Sequence, residues 1–275
     1  MCFFLRLKLA EIFNLSFRIH NNMRITIIGS GNVATHLGAA FKNAGHRLVQ
    51  VYSRDLHNAS LLGYHIGAEA IDDLNSINPE TDVFVVSVND DAIIPIAQSI
   101  AKHQKLTVHT AGAIALDALL SIIPTAGVFY PLQTFSKNKE VDFRTVPLCI
   151  EGANEIITKQ LSELAQSISN NVYKVNSVQR KALHLAAVFA CNFPNYLYGI
   201  AHQLLAENDM EFGMLRPLIL ETAQKVQERL PAEVQTGPAI RNDDNTMSAH
   251  MQMLSAHPEL KELYNVLSQG IIKNK

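Results

Sequence analysis

The sequence predicts an α/β protein whose N-terminal part is a doubly wound parallel sheet and whose C-terminal part is all-α. Three observations predict this class. A glycine-rich turn, GSGNVA, stands between an apolar strand and a segment with helical spacing. Strand-like and helix-like segments then alternate as far as Gly152, and helical spacing dominates after it. The predicted domains are residues 23–152 and residues 153–275.

The turn at residues 29–34 has the pattern of a dinucleotide-binding fingerprint in its required context of strand, turn and helix. Gly29 permits the tight turn, Gly31 lets the backbone approach a pyrophosphate, and Ala34 is small enough for close packing of helix on strand. The start of the helix offers unpaired N–H groups and a partial positive charge. We therefore expect a Rossmann dinucleotide site; the alternative is a structural turn that binds no phosphate. The predicted binding residues here are Gly29, Ser30, Gly31, Asn32 and Val33.

The second strand, residues 48–52, ends at Ser53 and Arg54, where this fold reads the adenine ribose. An acidic residue at this point would favour NAD, whereas a hydroxyl and a guanidinium suit the 2′-phosphate of NADP. The sequence therefore predicts NADP. The alternative is that Ser53 caps the next helix and Arg54 is only solvated. Asp55 either neutralises Arg54 or lies in the first helical turn.

The carboxyl ends of the later strands should reach the same edge of the sheet, where ligands bind in open α/β sheets. Residues 83–88 form the strongest strand, and residues 106–109 form another. The end of the first of these strands should place Val88 and Asn89 beside the nicotinamide. The end of the second should place His109 and Thr110 there.

The C-terminal part contains one long apolar stripe with helical spacing. Pro194 lies inside the stripe, which keeps its phase across it, so we expect a kinked but continuous helix. We interpret the stripe as domain core and as a candidate dimer seam. Its members are Leu183, Ala186, Ala190, Phe193, Leu197, Ile200 and Leu204.

Polar residues beside the stripe are the candidates for chemistry. Lys181, His184 and Asn192 are suited to polarise a carbonyl or imine acceptor and to supply a proton after hydride delivery. The alternative for His184 is a capped or solvated histidine. In the loop 236–244, Arg241 either holds a substrate carboxylate or pairs with Asp243 or Asp244.

Composition excludes several classes of function. A net charge of −2 gives no electrostatic case for nucleic-acid binding. The three cysteines, Cys2, Cys149 and Cys191, have no metal-ligand spacing and fit a reducing cytoplasm. No apolar run is long enough to span a membrane, and no metal is expected.

Residues 1–22 mix apolar and charged residues, unlike a signal peptide. We expect Met23 to be the true start, with the preceding segment a mis-assigned or poorly ordered leader. The alternative is an amphipathic anchor on a membrane surface.

The chain resembles the Rossmann-like proteins with a DUF2520 C-terminal domain. The resemblance rests on GSGNVA and on later blocks that are more specific: VVSVNDDAI, HTAGA, YPLQTFS, HLAAVFACN and TGPAIRND. More distantly, the architecture is similar to pyrroline-5-carboxylate reductase and the 6-phosphogluconate dehydrogenase superfamily, which implies NAD(P) and a dimerising helical domain.

Three positions depart from the patterns of these families. Asn89 replaces an expected proline, and Asn242 replaces an expected glycine. Lys181 is followed one turn later by Leu185 rather than by the asparagine of hydroxyacid dehydrogenases. A hydroxyacid dehydrogenase mechanism therefore does not transfer directly.

The sequence as a whole predicts an NADP-dependent reductase of a small carbonyl or imine compound, assembled as a homodimer through the helical domain. A non-catalytic dinucleotide sensor or scaffold is the competing class, because it requires the same fingerprint. Deazaflavin-linked oxidoreduction of NADP is a third possibility.

Overall fold

The computed structural model describes residues 22–274. The expectation for residues 1–22 therefore falls, except for Asn22, outside the described residues. Contacts between residues divide the chain after Pro194 into two compact units. The first unit contains the whole sheet, and the second is helical.

Within residues 22–274 the sheet has eight strands, which are numbered along the chain and lie in the order β3-β2-β1-β4-β5-β6-β7-β8. The chain starts in the middle, builds outward to β3, returns past β1 to β4 and then continues to the other edge. The reversal between β1 and β4 is the switch point at which Rossmann sheets bind ligands. The strands are β1 Arg24–Ile28, β2 Arg47–Tyr52, β3 Glu69–Ile71, β4 Val83–Val86, β5 Leu106–His109, β6 Ala126–Pro131, β7 Leu148–Gly152 and β8 Val172–Lys174.

Helices cover both faces of this sheet, which explains why β4 and β5 are buried along their whole length. One apolar cluster joins the sheet to the helices at residues 32–43, 56–66 and 155–168, and a second joins its other face to the helices at residues 93–100 and 117–120. The predicted doubly wound fold is confirmed. The helices and their bounds are α1 Asn32–Asn43, α2 Leu56–Ile66, α3 Ile93–Ile100, α4 Asp117–Leu120, α5 Glu155–Ile168 and α6 Ser177–Ala187.

The sheet differs from the sequence expectation in two respects. β7 pairs with β6 in the antiparallel direction, so the sheet is not wholly parallel. The sheet also continues beyond Gly152 through β8, a three-residue strand that pairs with β7. Such a short edge strand carries too few residues to show the two-residue periodicity of a strand, so only its pairing with β7 reveals it.

Helical hydrogen bonding runs without interruption from α6 through a π-helical segment, Val188–Asn192, into α7, which begins at Phe193. The expected continuous helix is therefore present. α7 spans Phe193–Ala206, so its first two residues belong to the first unit and the rest to the second. The α-helices that follow it among the described residues are α8 Arg216–Glu228, α9 Pro231–Val234, α10 Pro238–Arg241, α11 Asp244–Met253 and α12 Pro258–Lys273.

Candidate active site

The glycine-rich turn leads from β1 into α1 and has the geometry of an anion site. Gly29 has a φ of +120°, and a Cβ built there would lie 2.0 Å from the carbonyl oxygen of Ser87. A Cβ built at Gly31, the N-cap of α1, meets nothing within 4 Å among the described atoms. Within the described chain, no side chain caps this helix and its first turn holds no acidic residue. Its terminal N–H groups and positive dipole end therefore suit a phosphate.

The side chain of Asn32 contacts the loop after β6. Its Nδ2 donates to the carbonyl oxygen of Phe135 at 2.9 Å. His36, one turn further along α1, lies 2.9 Å through Nε2 from the carbonyl oxygen of Ser136 and stacks on the Phe135 ring. The backbone N–H of Asn32 and the second hydrogen of Nδ2 stay available to a phosphate.

The end of β2 carries the expected ribose-reading residues. The hydroxyl of Ser30 donates to that of Ser53 at 3.0 Å, so the glycine-rich turn and the end of β2 meet. Arg54 is exposed. The N-cap of α2 is Asp55, whose Oδ1 accepts the backbone N–H of His57 at 2.9 Å. Ser53 is therefore not the helix cap, and Asp55 precedes the first helical turn.

A tyrosine–histidine pair lies at another part of the same cavity. Tyr130 Oη, on β6, lies 3.1 Å from Nδ1 of His184 on α6. Burial raises the pKa of the Tyr130 hydroxyl, with a further increase from Cys149, so the hydroxyl stays protonated at neutral pH. Gly112 permits this arrangement, because a Cβ there would lie 2.7 Å from Cγ of His184.

A cavity of about 900 Å³ joins these features within the first unit. It opens between the glycine-rich turn, the ends of β2 and β4, the turn after β5, and the Tyr130–His184 pair. The sequence-predicted residues along its wall are Gly29, Ser30, Gly31, Asn32, Val33, Ser53, Arg54, Val88, Asn89, Thr110 and His184.

His109 lies at the end of β5 but its side chain is fully buried. Its Nδ1 accepts the backbone N–H of Ala111 at 3.1 Å, so the neutral ring carries its proton on Nε2. Burial, together with the positive charge of Arg180, lowers the pKa of His109 to about 3. The ring therefore shapes the turn that precedes Gly112 and stays uncharged at neutral pH.

The other predicted catalytic residues are exposed. Lys181 and Asn192 belong to the first unit and do not line the cavity. Arg241, in the second unit, lies 4.0 Å through Nη2 from Oδ2 of Asp243. This is the pairing that the sequence left as one of two alternatives for Arg241.

No helix among residues 22–274 has the length and apolarity needed to cross a membrane. Over the same residues, no cluster of three or more histidine, cysteine, aspartate or glutamate side chains is arranged to hold a metal ion.

Comparison with known proteins identifies the family. Residues 24–112 match the model described as NADP oxidoreductase coenzyme F420-dependent, and residues 146–271 match the domain of unknown function DUF2520. The putative NADP oxidoreductase BF3122 from Bacteroides fragilis is 43% identical, with a TM-score of 0.87 over 92% of this chain and 98% of that one. The chain belongs to the DUF2520 family of Rossmann-fold NADP oxidoreductases.

More distant solved structures share the fold. An imine reductase from Myxococcus stipitatus in complex with NADP+ is 15% identical, with a TM-score of 0.62 over 91% of this chain and 92% of that one. A pyrroline-5-carboxylate reductase from Coxiella burnetii is 16% identical, with a TM-score of 0.55 over 92% of this chain and 97% of that one. No curated protein matches this sequence significantly.

Sequence reasoning missed two parts of the site of this DUF2520-family protein. The motif YPLQTFS contains Tyr130, but nothing in the motif indicates that the tyrosine hydroxyl contacts His184. The ion pair between the buried Arg180 and the partly buried Glu151 has no counterpart among the sequence expectations. A usable signal was present for Arg180, because it stands one helical turn before His184 beside an apolar stripe.

Proposed function

We propose that this protein is an NADP-dependent oxidoreductase that transfers a hydride between NADPH and a small carbonyl or imine compound. The observation that carries the proposal is the presence of the Tyr130–His184 pair on the same cavity as the glycine-rich turn. The description of the family as NADP oxidoreductases and the fold shared with an imine reductase support the proposal.

The residues along the cavity fit the dinucleotide. The open space at Gly31 and the uncapped start of α1 suit the pyrophosphate, and the hydroxyls of Ser30 and Ser53 with the guanidinium of Arg54 suit the 2′-phosphate. Asn89 and Thr110 line the remaining wall and suit the nicotinamide end. Bound NADPH supplies a hydride to an electrophilic carbon of the substrate, whose oxygen or nitrogen then requires a proton.

The Tyr130–His184 pair supplies that proton in this mechanism. If the Tyr130 hydroxyl donates to Nδ1, the ring presents the N–H of Nε2; if Nδ1 carries the proton, the tyrosine O–H is presented instead. Either arrangement leaves the pair with one donor for the reduced substrate atom. We assign the proton donation to His184, with the Tyr130 hydroxyl as its hydrogen-bond partner.

Binding and turnover test the proposal separately. The chain has no tryptophan, so the intrinsic emission of NADPH reports binding without energy transfer from an indole. We expect micromolar binding of NADPH, much weaker binding of NADH, and loss of NADPH absorbance when 2-methyl-1-pyrroline or a small 2-oxo acid is added.

The variants His184→Ala and Tyr130→Phe test the proton donor. Both should keep NADPH binding, and both should lower turnover by about a hundredfold or more, the usual contribution of general acid catalysis. Full turnover by His184→Ala would remove the assignment. Binding without turnover of any probe would favour the sensor or scaffold instead.

A second candidate is exchange of hydride between NADPH and a deazaflavin. The observation favouring it is the match of residues 24–112 to the family described as coenzyme F420-dependent. Bleaching of an oxidised deazaflavin by NADPH in the presence of the protein, with no reaction of imines or oxo acids, would select this reaction.

We also propose a homodimer assembled through the helical unit. Large apolar side chains are exposed there, including Tyr196, Leu218, Leu230 and Met253, the last 74% exposed.

The two described cysteines, Cys149 and Cys191, are both free, which supports a reducing, cytoplasmic location.

A further inference from the structure

An ion pair between a fully buried arginine and a partly buried glutamate lies behind the His184 side of the cavity. Arg180 on α6 is fully buried, and its guanidinium contacts the Glu151 carboxylate on β7. It also donates to the carbonyl oxygen of Ile114 and, at 3.2 Å, to the hydroxyl of Ser177. One side chain thus joins a strand, a helix start and the turn after β5.

The same three segments are held by a second set of bonds. Glu151 accepts the backbone N–H of Ser177 at 2.9 Å and its hydroxyl at 2.7 Å. The Ser177 hydroxyl in turn accepts the backbone N–H of Leu116 at 2.9 Å. Both ends of the segment 114–116 are therefore tied to the first turn of α6 and to β7.

This cluster controls the surroundings of His184. Arg180 precedes His184 by one helical turn, so fixing Arg180 fixes the height and rotation of the histidine on α6. The segment tied by Ile114 begins beside Gly112, which lies against the His184 ring. The Nδ1 atom of the ring also bonds to the Tyr130 hydroxyl at 3.1 Å, a distance that leaves little room for displacement.

We propose that the Glu151–Arg180 pair is a positioning device that holds His184 in register with Tyr130 and Gly112. The expected effect on the turnover rate rests on the proposed function. The expected effect on the position of His184 does not depend on it. Buried ion pairs are often no more stabilising than apolar replacements, so net stability is a weak reason for this one. Its bonds to Ile114 and Ser177 instead fix the relative placement of three segments.

The test compares Arg180→Met, Arg180→Lys and the double variant Glu151→Gln with Arg180→Met. The double variant removes both charges but keeps an oxygen for Ser177, so it should fold even if the unpaired, partly buried carboxylate of Glu151 in Arg180→Met prevents folding. The matched control is Arg24→Met. Arg24 also pairs with a carboxylate, Asp82, at 2.9 Å, but it lies at the opposite end of β1 from the site.

The first readout is NMR of protein labelled on the histidine ring nitrogens, with the His184 signals assigned through His184→Gln. We expect Arg180→Met and the double variant to move the Nδ1 signal to its position in Tyr130→Phe. Arg180→Lys should restore it in part, and Arg24→Met should leave it in place. Folded Arg180 variants with a wild-type His184 signal would overturn the proposal.

The second readout is kinetic, with 2-methyl-1-pyrroline as the probe. We expect kcat to fall on the order of a hundredfold in the double variant, with the NADPH dissociation constant within about twofold of wild type. An equal fall in kcat for Arg24→Met would also contradict positioning. If wild-type protein reduces no probe, the proposed function fails while the NMR comparison still decides the positioning role.

Discussion

Gly29 and Gly31 stand two residues apart but are constrained for different reasons. Gly29→Ala would force a side chain into a φ of +120° and against the Ser87 carbonyl. We expect it to lower the free energy of unfolding by roughly 3 kcal/mol or more, measured by urea denaturation.

Gly31→Ala is the matched variant, because a Cβ there meets no described atom within 4 Å. Because alanine is a poorer N-cap than glycine, it should lower the urea midpoint slightly, and by much less than Gly29→Ala does. It should weaken NADPH binding at least about tenfold, since the methyl group would occupy the path of the pyrophosphate. Unchanged affinity in Gly31→Ala would show that the phosphates bind elsewhere.

His109 predicts a pH dependence of stability. Its pKa is about 3 in the folded protein, well below its unfolded value. Above about pH 6.5 both states hold the ring neutral; below it only the unfolded state takes up the proton, so stability falls as pH falls. From about pH 7 to about pH 4 this one group should remove about 3 kcal/mol.

The variant His109→Asn isolates that contribution, because an amide oxygen can accept the Ala111 N–H without titrating. The difference in unfolding free energy between wild type and variant should change by the stated amount over this pH range. Parallel curves would mean that His109 does not titrate differently in the two states. Other groups also make stability depend on pH, such as Asp243, whose pKa is lowered mainly by its bond to the Thr246 backbone. Their contributions are the same in wild type and variant and cancel in the difference.

At the scale of elements, the junction of β2 and α2 separates specificity from stability. Arg54 is exposed beside the Ser30–Ser53 bond, whereas Asp55 caps α2. Arg54→Asp should shift the ratio of dissociation constants from NADPH toward NADH, because a carboxylate repels the 2′-phosphate.

Asp55→Ala is the control for the Arg54 substitution. It should cost about 1 kcal/mol of stability through loss of the helix cap and leave the NADPH to NADH ratio unchanged. An unchanged ratio in Arg54→Asp would refute the ribose argument.

The helix from α6 to α7 shows how Pro194 is accommodated. Proline lacks the N–H that would bond to the preceding turn. A π-helical segment directly precedes the proline, and at its end the N–H of Phe193 donates to the carbonyl oxygen of Val188, five residues back. The apolar phase of the sequence predicted continuity, but the π segment depends on backbone geometry that residue types do not specify.

At the scale of the whole molecule, the apolar stripe predicts assembly. No residue of α7 is buried in the described chain, and Phe193 is 47% exposed. Sedimentation should give twice the chain mass of 30.4 kDa. Phe193→Glu should shift it toward the monomer, because a carboxylate in an apolar seam loses its hydration.

Tyr64→Glu is the control for assembly. Tyr64 is 89% exposed on α2 and belongs to neither the stripe nor the helical unit, so its substitution should leave the mass unchanged. A wild-type monomer would contradict the dimer, and a Phe193→Glu dimer would place the seam elsewhere.

The sequence alone determined the Rossmann fold, through the alternation of strand-like and helix-like segments as far as Gly152. It also determined the glycine-rich turn and the position of Ser53 and Arg54 after β2, because each of these is encoded within a window of a few residues. Only the tertiary structure decided the partners of His184 and Arg180. Tyr130 lies 54 residues from His184 along the chain, and Glu151 lies 29 residues from Arg180. The direction of β7 and the pairing of β8 were decided in the same way. Such contacts depend on how strands and helices that are distant in the sequence pack together, and the local periodicity of the sequence does not specify that packing.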